Sequence, residues 1–132
     1  MLLRSEDSGG AIGVTDNVVG AGAAGPPLHH HDFDEAFYVL DGELRFQLGD
    51  GLHTRRRGEL AFAARGVHHT FANHSGADAR VLIVITPGGF ERYFDRIAAR
   101  RAGVDPPASA LQGWREVVKV GPPIAAGEAA RG

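Results

Sequence analysis

An all-β sandwich or barrel is the fold class this sequence predicts, and three observations carry that expectation. Short runs rich in aromatic and β-branched residues recur, each bounded by Gly, Asn, Asp or Pro. Glu43 to Leu48 alternates cleanly, with Leu44, Phe46 and Leu48 on one face and Glu43, Arg45 and Gln47 on the other. Val81 to Thr86 is apolar on both faces, as suits a strand inside a sandwich or barrel.

In chain order, Ser5 to Gly10 is a polar, Gly-rich entry. Ala11 to Val19 mixes Ile12, Val14, Val18 and Val19 around Asp16-Asn17, which predicts two short strands about a turn. Pro26-Pro27 fixes an extended approach to a histidine cluster. Glu35 to Leu40 are strand formers, and Asp41-Gly42 signals a two-residue hairpin into Glu43 to Leu48. Gly49-Asp50-Gly51 turns into a strand over Leu52 to Arg57, and Gly58-Glu59 into one over Leu60 to Ala63. Arg65-Gly66 is a tight turn before His68 to Asn73, and Ser75 to Asp78 is a loop.

After Pro87-Gly88-Gly89 the period changes. Phe90, Tyr93, Phe94, Ile97 and Ala98 recur at helical steps, predicting an amphipathic helix that packs its aromatic stripe on the barrel and ends near Gly103. A short helix over Ser109 to Gln112, an extended piece over Trp114 to Val120, and a frayed Ala/Gly-rich tail follow. One domain over 1–132 is expected, with a barrel core at about 11–87, a helical extension at about 88–120 and the tail at 121–132.

The 14 Lys and Arg nearly balance 16 Asp and Glu, so no basic field is available for nucleic acid. Arg55-Arg56-Arg57 reads as a solvated strand edge or loop. Without cysteine, any metal must be held by imidazole and carboxylate. The N-terminus lacks the apolar run of a signal peptide, and Val81 to Ile85 is too short to span a bilayer, so a soluble cytoplasmic protein is expected.

The chemistry concentrates in Pro27-Leu28-His29-His30-His31-Asp32-Phe33-Asp34-Glu35. His29 and His31 leave an extended strand by the same face, and Glu35, at even spacing from both, joins that face if the alternation holds. Two imidazoles and a carboxylate make most of a metal site. A second histidine pair, His68-His69, stands at another strand entrance. His30 and His68 should point the opposite way, His53 and His74 look exposed, and Asn73 suits hydrogen bonding in a turn. Phe33, Phe37, Val39, Leu44, Phe46, Leu60, Phe62 and Phe71 can line the interior by alternation. No lysine or arginine is clearly aimed inward, so an apolar pocket suits an aromatic or hydrophobic substrate better than a sugar phosphate.

Together the two stretches resemble the cupin superfamily. His29, His31, Glu35 and Gly42 fit its first motif at every spacing; Gly58, Gly66, His69 and Asn73 fit its second, with Ala64 where proline is usual. The resemblance covers roughly Gly25 to Thr86 and is most similar to small quercetin-dioxygenase-like members. It implies a double-stranded β-helix, or jelly-roll, barrel holding one ion of iron, manganese, nickel, copper or zinc on His29, His31, Glu35 and His69. It also implies a small-molecule substrate and a homodimer, commonly formed by exchange of N-terminal strands, for which Ala11 to Val19 is available. The leading expectation is a dioxygenase-type oxidoreductase in which Glu35 doubles as general base. Non-redox isomerisation, cyclisation or lysis, and ligand binding without turnover, are the alternatives.

Overall fold

In the computed structural model, which describes residues 2–90, 99–105 and 117–125, nine strands form two antiparallel sheets. They are β1 (Gly13–Val19), β2 (Leu28–His31), β3 (Asp34–Asp41), β4 (Glu43–Leu48), β5 (Gly51–Arg56), β6 (Leu60–Ala63), β7 (His69–Ala72), β8 (Ala79–Thr86) and β9 (Val117–Gly121). One sheet runs β1-β8-β3-β6 and the other β5-β4-β7-β2-β9, a jelly-roll arrangement. No helix among the described residues is long and apolar enough to cross a membrane.

The core lies between the sheets and follows the alternation. Phe37 and Val39 of β3, Leu44 and Phe46 of β4, and Val81, Ile83 and Ile85 of β8 are fully buried together with Phe33. On β8 the opposite face, Leu82 and Val84, is only half-buried.

Three local expectations change. β1 runs unbroken through Asp16-Asn17, because each polar side chain is satisfied without leaving the strand. Asp16 takes both an Nε and an Nη2 bond from Arg80, and Asn17 donates to Thr15 Oγ1 at 2.7 Å. Asp41-Gly42 does not close a hairpin: β3 pairs with β6 and β8, whereas β4 pairs with β5 and β7. Gly42 instead carries the chain from one sheet to the other at φ 76, where a Cβ would stand 2.8 Å from the Asp78 carbonyl oxygen. Leu60 and Phe62 face outward, 51% and 53% exposed, and Ala61 and Ala63 fill the interior instead. The cause is pairing: Ala61 and Ala63 lie opposite Phe37 and Glu35 of β3, and directly opposed residues share a face.

At the C-terminal side, residues 99–102 are helical and Gly103 follows at φ 69. Residues 91–98 and 106–116 lie outside the described residues, and with them most of the expected amphipathic helix and the short helix at 109–112. Ile124, beyond β9, is buried.

Asn73 ties the loop after β7 to the end of β1. Fully buried, it donates to the carbonyls of Val19 and Ala77 at 3.0 and 2.8 Å and accepts from the amide and hydroxyl of Ser75. Asn73→Ala strands those groups and is expected to cost about 2–3 kcal/mol in urea unfolding. A loss within the error of the midpoint measurement would show the loop is held by something else.

Candidate metal centre

Four side chains from three strands meet near one end of the space between the sheets. His29 and His31 come from β2, His69 from β7 directly opposite His29, and Glu35 from β3 in the other sheet. Sequence parity anticipates one strand carrying both histidines and the carboxylate, but the chain bends at Asp32-Phe33 and changes sheets. Glu35 therefore meets the imidazoles across the interior. One ligand-type atom from each of the four lies within 4.8 Å of all the others. His31, Glu35 and His69 are buried, and His29 is half-buried, so the open side of the cluster is the side of His29.

Backbone carbonyls orient every ring. His29 Nδ1 contacts the Pro27 carbonyl at 2.7 Å, His31 Nδ1 that of Phe33 at 2.9 Å, and His69 Nδ1 that of Val67 at 2.8 Å. A carbonyl only accepts, so each Nδ1 carries the proton and each Nε2 is left to face the centre. His31 Nε2 lies 2.5 Å and His69 Nε2 3.4 Å from the same Glu35 oxygen, Oε1. Burial alone would raise the Glu35 carboxyl, but the hydrogen bonds and charge of His31 and His69 outweigh it and hold the group down to about 2. Burial pushes His29 below its ordinary value, against the pull of the Pro27 carbonyl, which favours the neutral ligand form. Ionised carboxylate and neutral imidazoles are the protonation states a divalent cation requires.

The surroundings are aromatic. Phe33 stacks on His31 with ring centres 3.5 Å apart and planes 3° from parallel, Phe90 leans on Phe33 at 4.8 Å, and Phe37 stands 6.5 Å from His69. His30 and His68 do point away from the centre, their rings stacked 5.2 Å apart. His53 and His74 are half-buried rather than exposed, and His53 pairs with the core residue Phe46. One cation escaped the sequence reading. Lys119 of β9 lies opposite His29, a neighbour that alternation within either strand does not reveal.

Residues 18–85, more than half of the chain, match the family described as Cupin domain. Among solved structures, the chain is similar to the TT1209 protein from Thermus thermophilus at 26% identity and TM-score 0.55, covering 59% of this chain and 74% of that one. It is similar to the polyketide cyclase RemF from Streptomyces resistomycificus at 28% identity and TM-score 0.57, covering 64% and 61%. It is also similar to a cupin-superfamily sugar phosphate isomerase from Silicibacter pomeroyi at 31% identity and TM-score 0.55, covering 66% and 59%. No functionally curated protein matches the sequence significantly. With both sequence motifs on one jelly roll and the family match spanning most of its strands, the chain belongs to the cupin domain family.

Proposed function

We propose that this chain is a mononuclear metal-dependent enzyme that binds a small apolar or aromatic substrate through chelating oxygens and moves a proton on it, as isomerisation and cyclisation require. The observation that carries the metal is the convergence of the centre. Three imidazoles, each with Nδ1 turned to a backbone carbonyl, and one carboxylate bring ligand atoms within 4.8 Å of one another, a set that suits a shared cation. A first-row ion held by His29, His31, Glu35 and His69 supplies Lewis-acid polarisation of a substrate oxygen.

The chain's own residues do the remainder. Glu35 Oε1 is occupied by His31 and His69, whereas Oε2 has no hydrogen bond among the described residues, which suits it to accept a substrate proton. Phe33, Phe37 and Phe90 form apolar walls that favour an aromatic or hydrophobic substrate and keep water from the transferring proton.

The likeness to a polyketide cyclase and a sugar phosphate isomerase supports chemistry without oxygen. A dioxygenase is the second reading, supported by a donor set of three imidazoles and one carboxylate, which also suits iron(II). The test is solvent deuterium exchange into enolisable 1,3-diketones by the zinc-loaded protein under nitrogen, beside oxygen uptake by the iron(II)-loaded protein with diketones and a flavonol. Exchange by the zinc form supports proton transfer. Oxygen uptake without exchange moves the assignment to the dioxygenase, and neither activity reduces the chain to a binding module.

The homodimer expected from the resemblance has a suitable surface in the outer face of the β1-β8-β3-β6 sheet. Val14, Val84, Ala36 and Phe62 form one apolar row across it, and Leu82, Tyr38 and Leu60 a second. The charges near its margins are paired internally, Asp16 with Arg80 and Asp34 with Arg65, so the face is apolar and neutral and matches a second copy of itself. β1 is paired along its whole length with β8 of its own chain, which favours face packing over strand exchange. Phe62→Lys is expected to convert a sedimenting dimer into a monomer, and a wild type that sediments as a monomer refutes the dimer.

A further inference from the structure

We infer that Lys119 reads a negative charge on the substrate at the mouth of the centre, so that the substrate carries a carboxylate or similar acidic group beside its chelating oxygens. The inference rests on the metal-dependent reading above and narrows it to anionic aromatic or apolar acids.

Position is the first support. β9 pairs antiparallel with β2, and Lys119 is the Cα partner of His29. Directly opposed residues in an antiparallel pair project to the same face, so Lys119 shares the inner face with the imidazole beside it. The neighbouring pair, Val118 opposite His30, takes the other face of the two strands.

Access is the second. His29 is the least buried member of the cluster, and Lys119 is exposed, so both stand on the side from which a solute arrives.

Availability is the third. Lys119 is the only lysine in the sequence, and it makes no ion pair or hydrogen bond with the described residues. Arg56, Arg65 and Arg80, by contrast, are each held by a carboxylate. An uncommitted ammonium on a flexible stem can meet an anion without first breaking another contact.

3,4-Dihydroxybenzoate and 3,4-dihydroxybenzamide separate the effect, because they share the two catechol oxygens that chelate and differ in one carboxylate set apart from them. Each is titrated under nitrogen into cobalt(II)-loaded protein and read by the visible cobalt spectrum. Lys119→Met is expected to weaken the benzoate roughly three- to tenfold, as loss of one solvent-exposed charge-assisted contact would, and to leave the benzamide unchanged. Lys119→Arg should restore most of the difference, and about 0.5 M salt should shrink it in the wild type. In parallel, the benzoate should slow acetylation of this single lysine by an N-hydroxysuccinimide ester, read by peptide mass. Equal loss of both ligands, no loss of either, or acetylation indifferent to the benzoate overturns the role of Lys119. A wild type that gives no protein-bound cobalt spectrum overturns the metal reading itself, which is a different failure.

Discussion

His31→Ala is expected to lower the affinity for zinc(II) or cobalt(II) at least a hundredfold, measured by competition with a chromophoric chelator. Loss of an outer-shell partner of a metal ligand already costs roughly 10–100-fold, and His31 is itself a proposed donor. It is also the ring most tightly built into the centre: its Nδ1 is fixed by the Phe33 carbonyl, its face is covered by the Phe33 ring, and its Nε2 reaches Glu35 at 2.5 Å. Alanine removes the donor and leaves a hole beside a buried carboxylate. Glu35→Gln tests the charge separately. It keeps the shape but withdraws the anion that offsets the cation, so its loss of affinity should be of the same order. His30→Ala is the control, because that ring points away from the centre and stacks on His68. Equal affinity of the His30 and His31 variants would show that any ion bound by the chain is held elsewhere. Proton competition has a defined sign as well. Lower pH weakens binding, since each imidazole must give up its Nε2 proton to serve as a donor, while Glu35, held to about 2, stays ionised throughout the usual working range.

The second large effect is on stability. Gly25→Ala is expected to cost more than about 3 kcal/mol in urea unfolding, among the larger values for a single substitution. Gly25 sits at φ 76, where a side chain costs roughly 1–2 kcal/mol by itself. A Cβ there would also fall 1.7 Å from the Phe71 carbonyl oxygen and 2.9 Å from its carbon, so backbone must move. Phe71 belongs to β7, which presents His69, and Gly25 leads through Pro26-Pro27 into the strand that presents His29. The displacement therefore reaches two members of the centre, and metal affinity should fall in whatever fraction stays folded. Gly58→Ala supplies the comparison, with φ 84 but nothing within 4 Å of the added carbon, and should show the conformational cost of about 1–2 kcal/mol and no more. Equal midpoints for the two variants would mean that the close approach of Gly25 to β7 relaxes freely.

What could be read without coordinates was what depends on neighbours along the chain. Alternation places Leu44 and Phe46 on one face, and both are buried; His29 and His31 share a face by the same rule, with His30 opposite. Spacing along the chain offers His29, His31 and Glu35, and the resemblance to the two cupin motifs adds His69 as the fourth member; all four meet at the centre.

The tertiary structure alone decided what depends on pairing between distant strands. Parity separates the two faces of a strand but does not say which of them is inner. β6 shows this: by size Leu60 and Phe62 belong inside, yet register against β3 turns them out and gives the interior to Ala61 and Ala63. Asp41-Gly42 carries the local chemistry of a hairpin but serves as a passage between sheets, and Glu35 reaches the histidines across the interior rather than along their strand. Lys119 comes to lie opposite His29 only because β9 returns to the edge of β2, ninety positions later. The hydrophobic period is a local property of the chain. Sheet membership and register are set by the burial and backbone hydrogen bonding of whole strands against partners that sequence distance does not reveal.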